Sequence, residues 1–215
     1  YGFRDAVASG DRETLSSALT NHGERINAGV AVFTNAQFEL QASTERNATL
    51  FVAAVQRYAR QSQTGGANNN KVEVINGQPY QIVAVPVRAP LVIGWVGMGF
   101  PIGDKLLKDM QKLSGLDVVM LLRTPKGNWS VSQSSLEKSR WAPVVQAWEA
   151  PAGGDGASPD LTLLVAGDEF SAHQVVLPGT ADQPPVTALL LRSVDQALAP
   201  YAQLKTTLLI LTALG

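Results

Sequence analysis

Twice in this chain, a pair of short β-prone segments is followed by one amphipathic helix and then by three more β-prone segments. In the first pass, Gly29–Thr34 is apolar, Asn35–Gln37 supplies a turn, and Phe38–Ala42 alternates in polarity. Phe51, Val55 and Tyr58 then recur at i, i+4 and i+7 within residues 48–61, which is the period of a helix. Lys71–Ile75, Tyr80–Val87 and Leu91–Gly99 follow, with Asn76-Gly77 as a two-residue hairpin signal between the first two. In the second pass, Leu116–Arg123 and Asn128–Gln133 flank the turn Thr124–Gly127. Lys138–Glu149 reads as a helix with Pro143 in its first turn or bending it. Leu161–Ala166, Glu169–Leu177 and Val186–Arg192 complete the series. The repeat is one of structural order, with no clear residue-by-residue repeat. Each block predicts a curled antiparallel sheet with a helix across it, so the expected fold is α+β, two tandem modules each with flanking helices.

The segments around the blocks are helical by pattern. In Asp11–Ile26, Leu15, Leu19, His22 and Ile26 share one face, and Asp11 is a suitable N-cap. Tyr1–Ser9 reads as the end of an earlier helix. Asp104–Leu113 links the blocks, with Leu106, Leu107, Met110 and Leu113 on one side and Gly115 to end it. Ser193–Gln196 has the form of a capping box and starts a final helix, which Pro200 restarts after one turn. Residues Thr206–Gly215 are uncharged. A membrane-spanning helix needs about 20 apolar residues, so this run is expected to be the first half of one, the alternative being a buried core helix. The expected division is 1–27 leading helices, 28–102 membrane-distal module, 103–192 membrane-proximal module, and 193–215 exit helix with the start of a transmembrane segment.

Composition removes several function classes. Hydrophobic residues make up 45% and charged residues 16%, enough for a packed core and too apolar for disorder. The formal net charge is −1 with no block of Lys or Arg, which argues against a nucleic-acid partner. Cysteine is absent, and with it disulfides, thiolate chemistry and cysteine-ligated zinc. His22 and His173 lie in different modules, and neither has a metal-ligand neighbour at the spacing of a helical zinc site. No cofactor or metal is expected. Gly-x-Ser-x-Gly, P-loop and Gly-x-Gly-x-x-Gly motifs are absent, and the glycines of Gly94–Gly99 suit a curled strand or the close approach of a helix.

Three stretches carry a family resemblance. Tyr1–Leu15 continuing through Ala18–Ile26, then Val92–Asp104, then Asp195–Leu204 resemble the leading helices, module-closing strand and exit of the double Cache family of bacterial extracytoplasmic sensors. The resemblance implies a non-enzymatic, periplasmic ligand-sensing segment of an inner-membrane protein. It further implies a cytoplasmic output in cyclic-di-GMP turnover, a diguanylate cyclase and/or phosphodiesterase. A histidine kinase or chemoreceptor output, or a protein-interaction domain without small ligand, are the alternatives. Ala166-Gly-Asp-Glu-Phe170 is similar to a diguanylate cyclase signature, but its short flanks make it a hairpin turn.

The candidate ligand-binding residues are Arg57, Tyr58, Tyr80, Gln81, Arg88 and Trp95, with Asn68, Asn69 and Asn70 on the intervening loop. Aromatic walls, amides and guanidinium groups would suit a small amino or organic acid. The competing reading makes the aromatics core and the polar groups solvated. Trp129, Trp141 and Trp148 could line a smaller cavity or pack the second core. Ala197, Tyr201, Leu204, Leu208, Leu211 and Gly215 form a heptad seam, from which a homodimer is expected, with the flanking helices attached to a membrane.

Overall fold

The computed structural model describes residues 7, 11–63, 72–124, 126–150, 160–179, 185–199 and 201. Most of the loop 63–70, the loop 151–159, nearly all of Tyr1–Ser9, most of the heptad seam and the apolar tail lie outside the described residues. Two compact units are present: Tyr1–Ile102 with Pro178–Gln183, and Gly103–Leu177 with Pro184–Gly215.

In the first unit, helix α1 (Arg12–Arg25) begins at Asp11, whose side chain accepts hydrogen bonds from the backbone N–H groups of Glu13 and Thr14. These bonds hold the Asp11 carboxyl below its ordinary pKa, with the Thr14 hydroxyl contributing most. Strands β1 (Val30–Asn35), β2 (Leu40–Ser43), β3 (Val72–Ile75), β4 (Gln78–Arg88) and β5 (Val92–Pro101) form one antiparallel sheet in the order β2-β1-β5-β4-β3. Helix α2 (Thr49–Gln63) crosses one face. Leu15 and Leu19 of α1 pack with Ala31 and Phe33 on the other. His22 and Ile26 differ from the helical-face expectation: Ile26 is 49% exposed and His22 is also exposed. Gly23 is buried in that turn, close to Ala28 and Ala31, so the sheet meets α1 at a residue that a hydrophobic pattern does not mark.

The two faces of this sheet follow from alternation along each strand. Val30, Val32 and Thr34 of β1 face α2, together with Trp95, Gly97 and Gly99 of β5. A Cβ on Gly97 would lie 2.0 Å from Val55 Cγ2, and one on Gly99 would lie 2.7 Å from Phe51 Cε1. The two missing methyls therefore let α2 sit directly on the sheet. The hairpin Ile75–Gln78 turns through Asn76 and Gly77 at φ 53° and 78°, the type I′ geometry that matches strand twist.

The second unit has the same architecture. Strands β6 (Asp117–Arg123), β7 (Trp129–Ser134), β8 (Asp160–Val165), β9 (Asp168–Leu177) and β10 (Val186–Ser193) pair in the order β7-β6-β10-β9-β8, the arrangement of the first sheet offset by five. Helix α3 (Asp104–Ser114) lies against β6 and β7 and ends at Gly115, whose φ is 70°. Leu107 of α3 is buried, whereas Leu106, Met110 and Leu113 are exposed. Successive helical residues are about 100° apart, so Leu106 and Leu107 cannot share a face. Residues 138–149 start as a 3₁₀ turn (Lys138–Arg140) and continue as α4 (Trp141–Glu149), which places Pro143 in the first α-turn, where its missing N–H costs nothing. The core gathers Trp148, Leu121, Leu163, Phe170, Leu189 and Leu191. Trp129 meets Trp148 edge-to-face at 5.8 Å and stacks beneath the Arg123 guanidinium, while Trp141 donates to the Leu136 carbonyl. The Ala166-Gly167 turn joins β8 to β9, with Ala166 at φ 53° and Gly167 at φ 92°.

Candidate functional site

The helix-and-sheet layer of the first unit holds polar chemistry inside an apolar core. Residue alternation turns Glu73 of β3 and Tyr80 of β4, which are cross-strand partners, toward α2. From α2, Arg57 reaches Glu73 with two hydrogen bonds, Nε to Oε1 at 3.2 Å and Nη2 to Oε2. The Glu73 side chain is completely buried, and that of Arg57 is 32% exposed. Fork-to-carboxylate pairing of this kind fixes both groups in one orientation.

Beside the ion pair, the Tyr58 hydroxyl is buried and has no hydrogen-bond partner among the described residues. Burial pushes its pKa well above the usual 10; the negative charge of Glu73 adds to this and Arg57 opposes it. Thr34 is also fully buried, and its Oγ1 has no partner among the described residues either. Leaving such a group unpaired costs about 1–3 kcal/mol. Trp95, opposite Thr34 across the β1–β5 ladder, is buried and stacks on Phe38 at 6.1 Å. Tyr80 meets Phe51 edge-on at 5.0 Å, and its pKa is raised by burial and then by Glu45.

Of the residues singled out from sequence, the structure brings Arg57, Tyr58, Tyr80 and Trp95 to the α2 side of the sheet. Gln81 follows Tyr80 and is exposed on the opposite face; Arg88 is exposed at the end of β4 beyond a bulge. Asn68, Asn69 and Asn70 lie outside the described residues. Sequence reasoning missed Glu73 and Thr34. Glu73 carries a signal in retrospect as the one polar residue of β3, whereas Thr34 adjoins Asn35 at the polar end of β1 and does not stand out.

Concavities among the described residues lie outside this layer. One of about 280 Å3 lies on the α1 side of the first sheet, lined by Leu19, His22, Val83, Val85, Val96 and Met98. In the second unit, a groove of about 480 Å3 runs between α4 and β8, flanked by Gln146, Ala147 and Leu164. A polar cleft of about 460 Å3 is bordered by Asp117, Glu137, Arg140, Asp168 and Gln196, and within it Arg140 is paired with Asp168 at 2.8 Å. No group of three metal-ligating side chains is present among the described residues. No described helix is long and apolar enough to cross a membrane.

A family model described as the double sensory domain of two-component sensor kinases (dCache_3) matches residues 1–159. The chain belongs to this double Cache family. The segment is accordingly sensory and not catalytic. Among solved structures, the periplasmic domain of Vibrio cholerae LuxQ superimposes with a TM-score of 0.51 at 15% identity, covering 89% of this chain and 85% of that one. The sensor domain of the V. cholerae histidine kinase DctB gives 0.52 at 15% identity, covering 89% and 84%. The ligand-binding domain of the Pseudomonas fluorescens chemoreceptor CtaA, in complex with L-serine, gives 0.52 at 11% identity, covering 90% and 85%. A search of curated proteins finds no match. At these identities the structural likeness speaks for the double Cache fold alone, and both five-stranded sheets of this chain conform to it.

Proposed function

We propose that this double Cache chain is the periplasmic, ligand-sensing segment of a membrane-bound signalling protein, with the first unit as the membrane-distal sensing module. The observations that carry the reading lie on the α2 side of the first sheet: the Arg57–Glu73 ion pair with the buried Tyr58 hydroxyl near it, and the buried Thr34 hydroxyl across from Trp95, neither hydroxyl having a partner among the described residues. A core under selection for stability alone has no use for this arrangement, because every member costs desolvation energy. The ligand is a small molecule, with amino and organic acids as the first compounds to test. Relatives of the same fold include a chemoreceptor domain in complex with L-serine and a histidine kinase sensor domain.

The family's description favours a histidine kinase as the output; cyclic-di-GMP turnover is the second candidate. The exit helix runs toward the membrane and pairs with a second copy. Tyr201, 70% exposed, and the half-buried Ala197 begin the seam. Ligand and signal are coupled only if the ligand binds two conformations with different affinity. The test is a thermal-shift screen of amino acids, organic acids and polyamines. Stabilisation by one chemical class is expected, because binding to the folded state raises stability by mass action. Silence across the whole panel would refute ligand sensing.

A further inference from the structure

The polar cleft of about 460 Å3 belongs wholly to the second unit and is large enough for a small molecule. Its walls come from α3 (Gln111), the start of β6 (Asp117), the turn ahead of α4 (Glu137, Arg140), the start of β9 (Asp168) and the first turn after β10 (Gln196). Three carboxylates here face one guanidinium. Arg140 is paired with Asp168 at 2.8 Å and lies over the Phe170 ring at 5.9 Å. The charge left unmatched is that of Asp117 and Glu137. Donors beside them are already committed. Gln111 Nε2 and Ser135 Oγ both donate to Asp117 Oδ1, and the Gln196 N–H donates to Ser193 Oγ. What stays open is mostly acceptor: Asp117 Oδ2, the Glu137 carboxylate, Asp168 Oδ1 and Gln111 Oε1 have no hydrogen bond among the described residues. The remaining N–H groups of Arg140 are the charged exception. A ligand anion would compete with Asp168 for them while facing two unmatched carboxylates. A metal ion is no better served, because no three metal-ligating side chains converge among the described residues. Acceptors spread around a cleft wall suit a cation that is itself extended and rich in N–H donors.

We propose that this cleft binds an aliphatic diamine or polyamine, with one ammonium on Asp117 and Gln111, another on Glu137, and the connecting methylenes against Leu136. It is a second site, independent of the α2 side of the first sheet. Asp117 opens β6 and pairs with Leu191 near the end of β10, and Gln196 stands in the first turn beyond that strand. A bound diamine therefore bears on the root of the exit helix. It shifts that helix to the extent that its affinity differs between two helix positions.

The experiment is calorimetric titration of the full chain at pH 7 and low ionic strength with 1,4-diaminobutane, spermidine, butylamine and magnesium chloride. Both polyvalent amines are expected to bind more tightly than butylamine by roughly tenfold or more, the size of one charge-assisted hydrogen bond gained. Their binding should weaken as sodium chloride is added. Glu137→Gln and Asp117→Asn should each weaken diamine binding by about tenfold, on the same reasoning. The Glu137 side chain is exposed and its carboxylate bonds no described residue, so Glu137→Gln folds as the parent does. Glu169→Gln removes an equal charge from an exposed position of β9 that does not line the cleft, and should leave binding unchanged. An equal loss in Glu169→Gln would reduce the binding to general attraction by acidic surface and overturn the site. So would magnesium binding as tight as that of the diamine, or no binding of either polyvalent amine. Diamine binding that Glu137→Gln and Asp117→Asn leave intact would also overturn it; the amine then binds elsewhere, and ligand sensing stands without this cleft.

Discussion

Removing Arg57 tests the architecture of the polar cluster most directly. Glu73 has no exposed side-chain surface, so Arg57→Ala leaves a carboxylate in the core with neither its counter-charge nor its two donors. Breaking a buried pair from one side costs about 3–5 kcal/mol. The opposite change is milder. In Glu73→Ala the stranded group is Arg57, which is 32% exposed and can turn toward water, so the loss is that of charge-assisted hydrogen bonds, about 1.5–3 kcal/mol. Replacing both partners together, as Arg57→Met with Glu73→Leu, removes the desolvation cost along with the pair and should return stability to within about 1 kcal/mol of the parent. Glu73→Gln in the Arg57→Ala background should recover part of the loss, because an amide carries no uncompensated charge. Urea unfolding followed by tryptophan fluorescence reads these differences. With a slope of about 2 kcal/mol/M, Arg57→Ala lowers the midpoint of the first unit by roughly 1.5–2.5 M. Equal losses from the two single alanine variants, or a hydrophobic double variant as weak as Arg57→Ala, would refute the claim that Glu73 is the dependent partner.

Three other outcomes follow from particular positions. Gly97→Ala pushes a methyl into Val55 and should cost about 1–3 kcal/mol by overpacking, recovered in part by Val55→Ala; denaturant midpoints check it. Ala166→Gly relieves a left-handed backbone in the β8–β9 turn and should raise stability by about 1 kcal/mol, or roughly 2–4 °C in the melting temperature of a chain this size. Tyr58 and Tyr80 have pKa values raised above the usual 10, so the unfolded chain loses their protons first. Their contribution is fully present below pH 10 and is lost as pH rises above it, more steeply for the buried Tyr58 than for the partly exposed Tyr80. Tyr58→Phe should flatten that alkaline decline, as melting curves between pH 9 and pH 11 would show.

The fold was legible because its signals are local. Asn76-Gly77, the capping groups Asp11 and Ser193, and the helical period of Phe51, Val55 and Tyr58 each dictate one element from a few neighbouring residues. Errors arose where periodicity marks a helix without saying what it touches. Leu106, Met110 and Leu113 have helical spacing yet stay exposed, while Leu107 alone reaches the core. The partners of the polar cluster were illegible for a different reason. Arg57 and Glu73 are sixteen residues apart on separate elements, and only the sheet's strand order brings them into contact. Arg57 looked available to a ligand because the sequence gives no account of which charge is already taken. Gln81 and Tyr80 are neighbours in sequence and face opposite ways, the ordinary consequence of a strand's alternation.

In both sheets, the first and last strands of the module lie side by side and run in opposite directions. Val30 of β1 sits across from Gly99 of β5, and Asp117 of β6 sits across from Leu191 of β10. Apart from the excursion of Pro178–Gln183 into the first unit, each module thus takes in the backbone at its first strand and releases it at its last through one gate, whose two posts are held about 5 Å apart by interstrand hydrogen bonds. A pull that separates those posts would peel the central ladder open one rung at a time, because the load falls on the nearest rung first. A force along the strands, with both posts moving together, leaves every rung intact, so the module is compliant to spreading and stiff to translation.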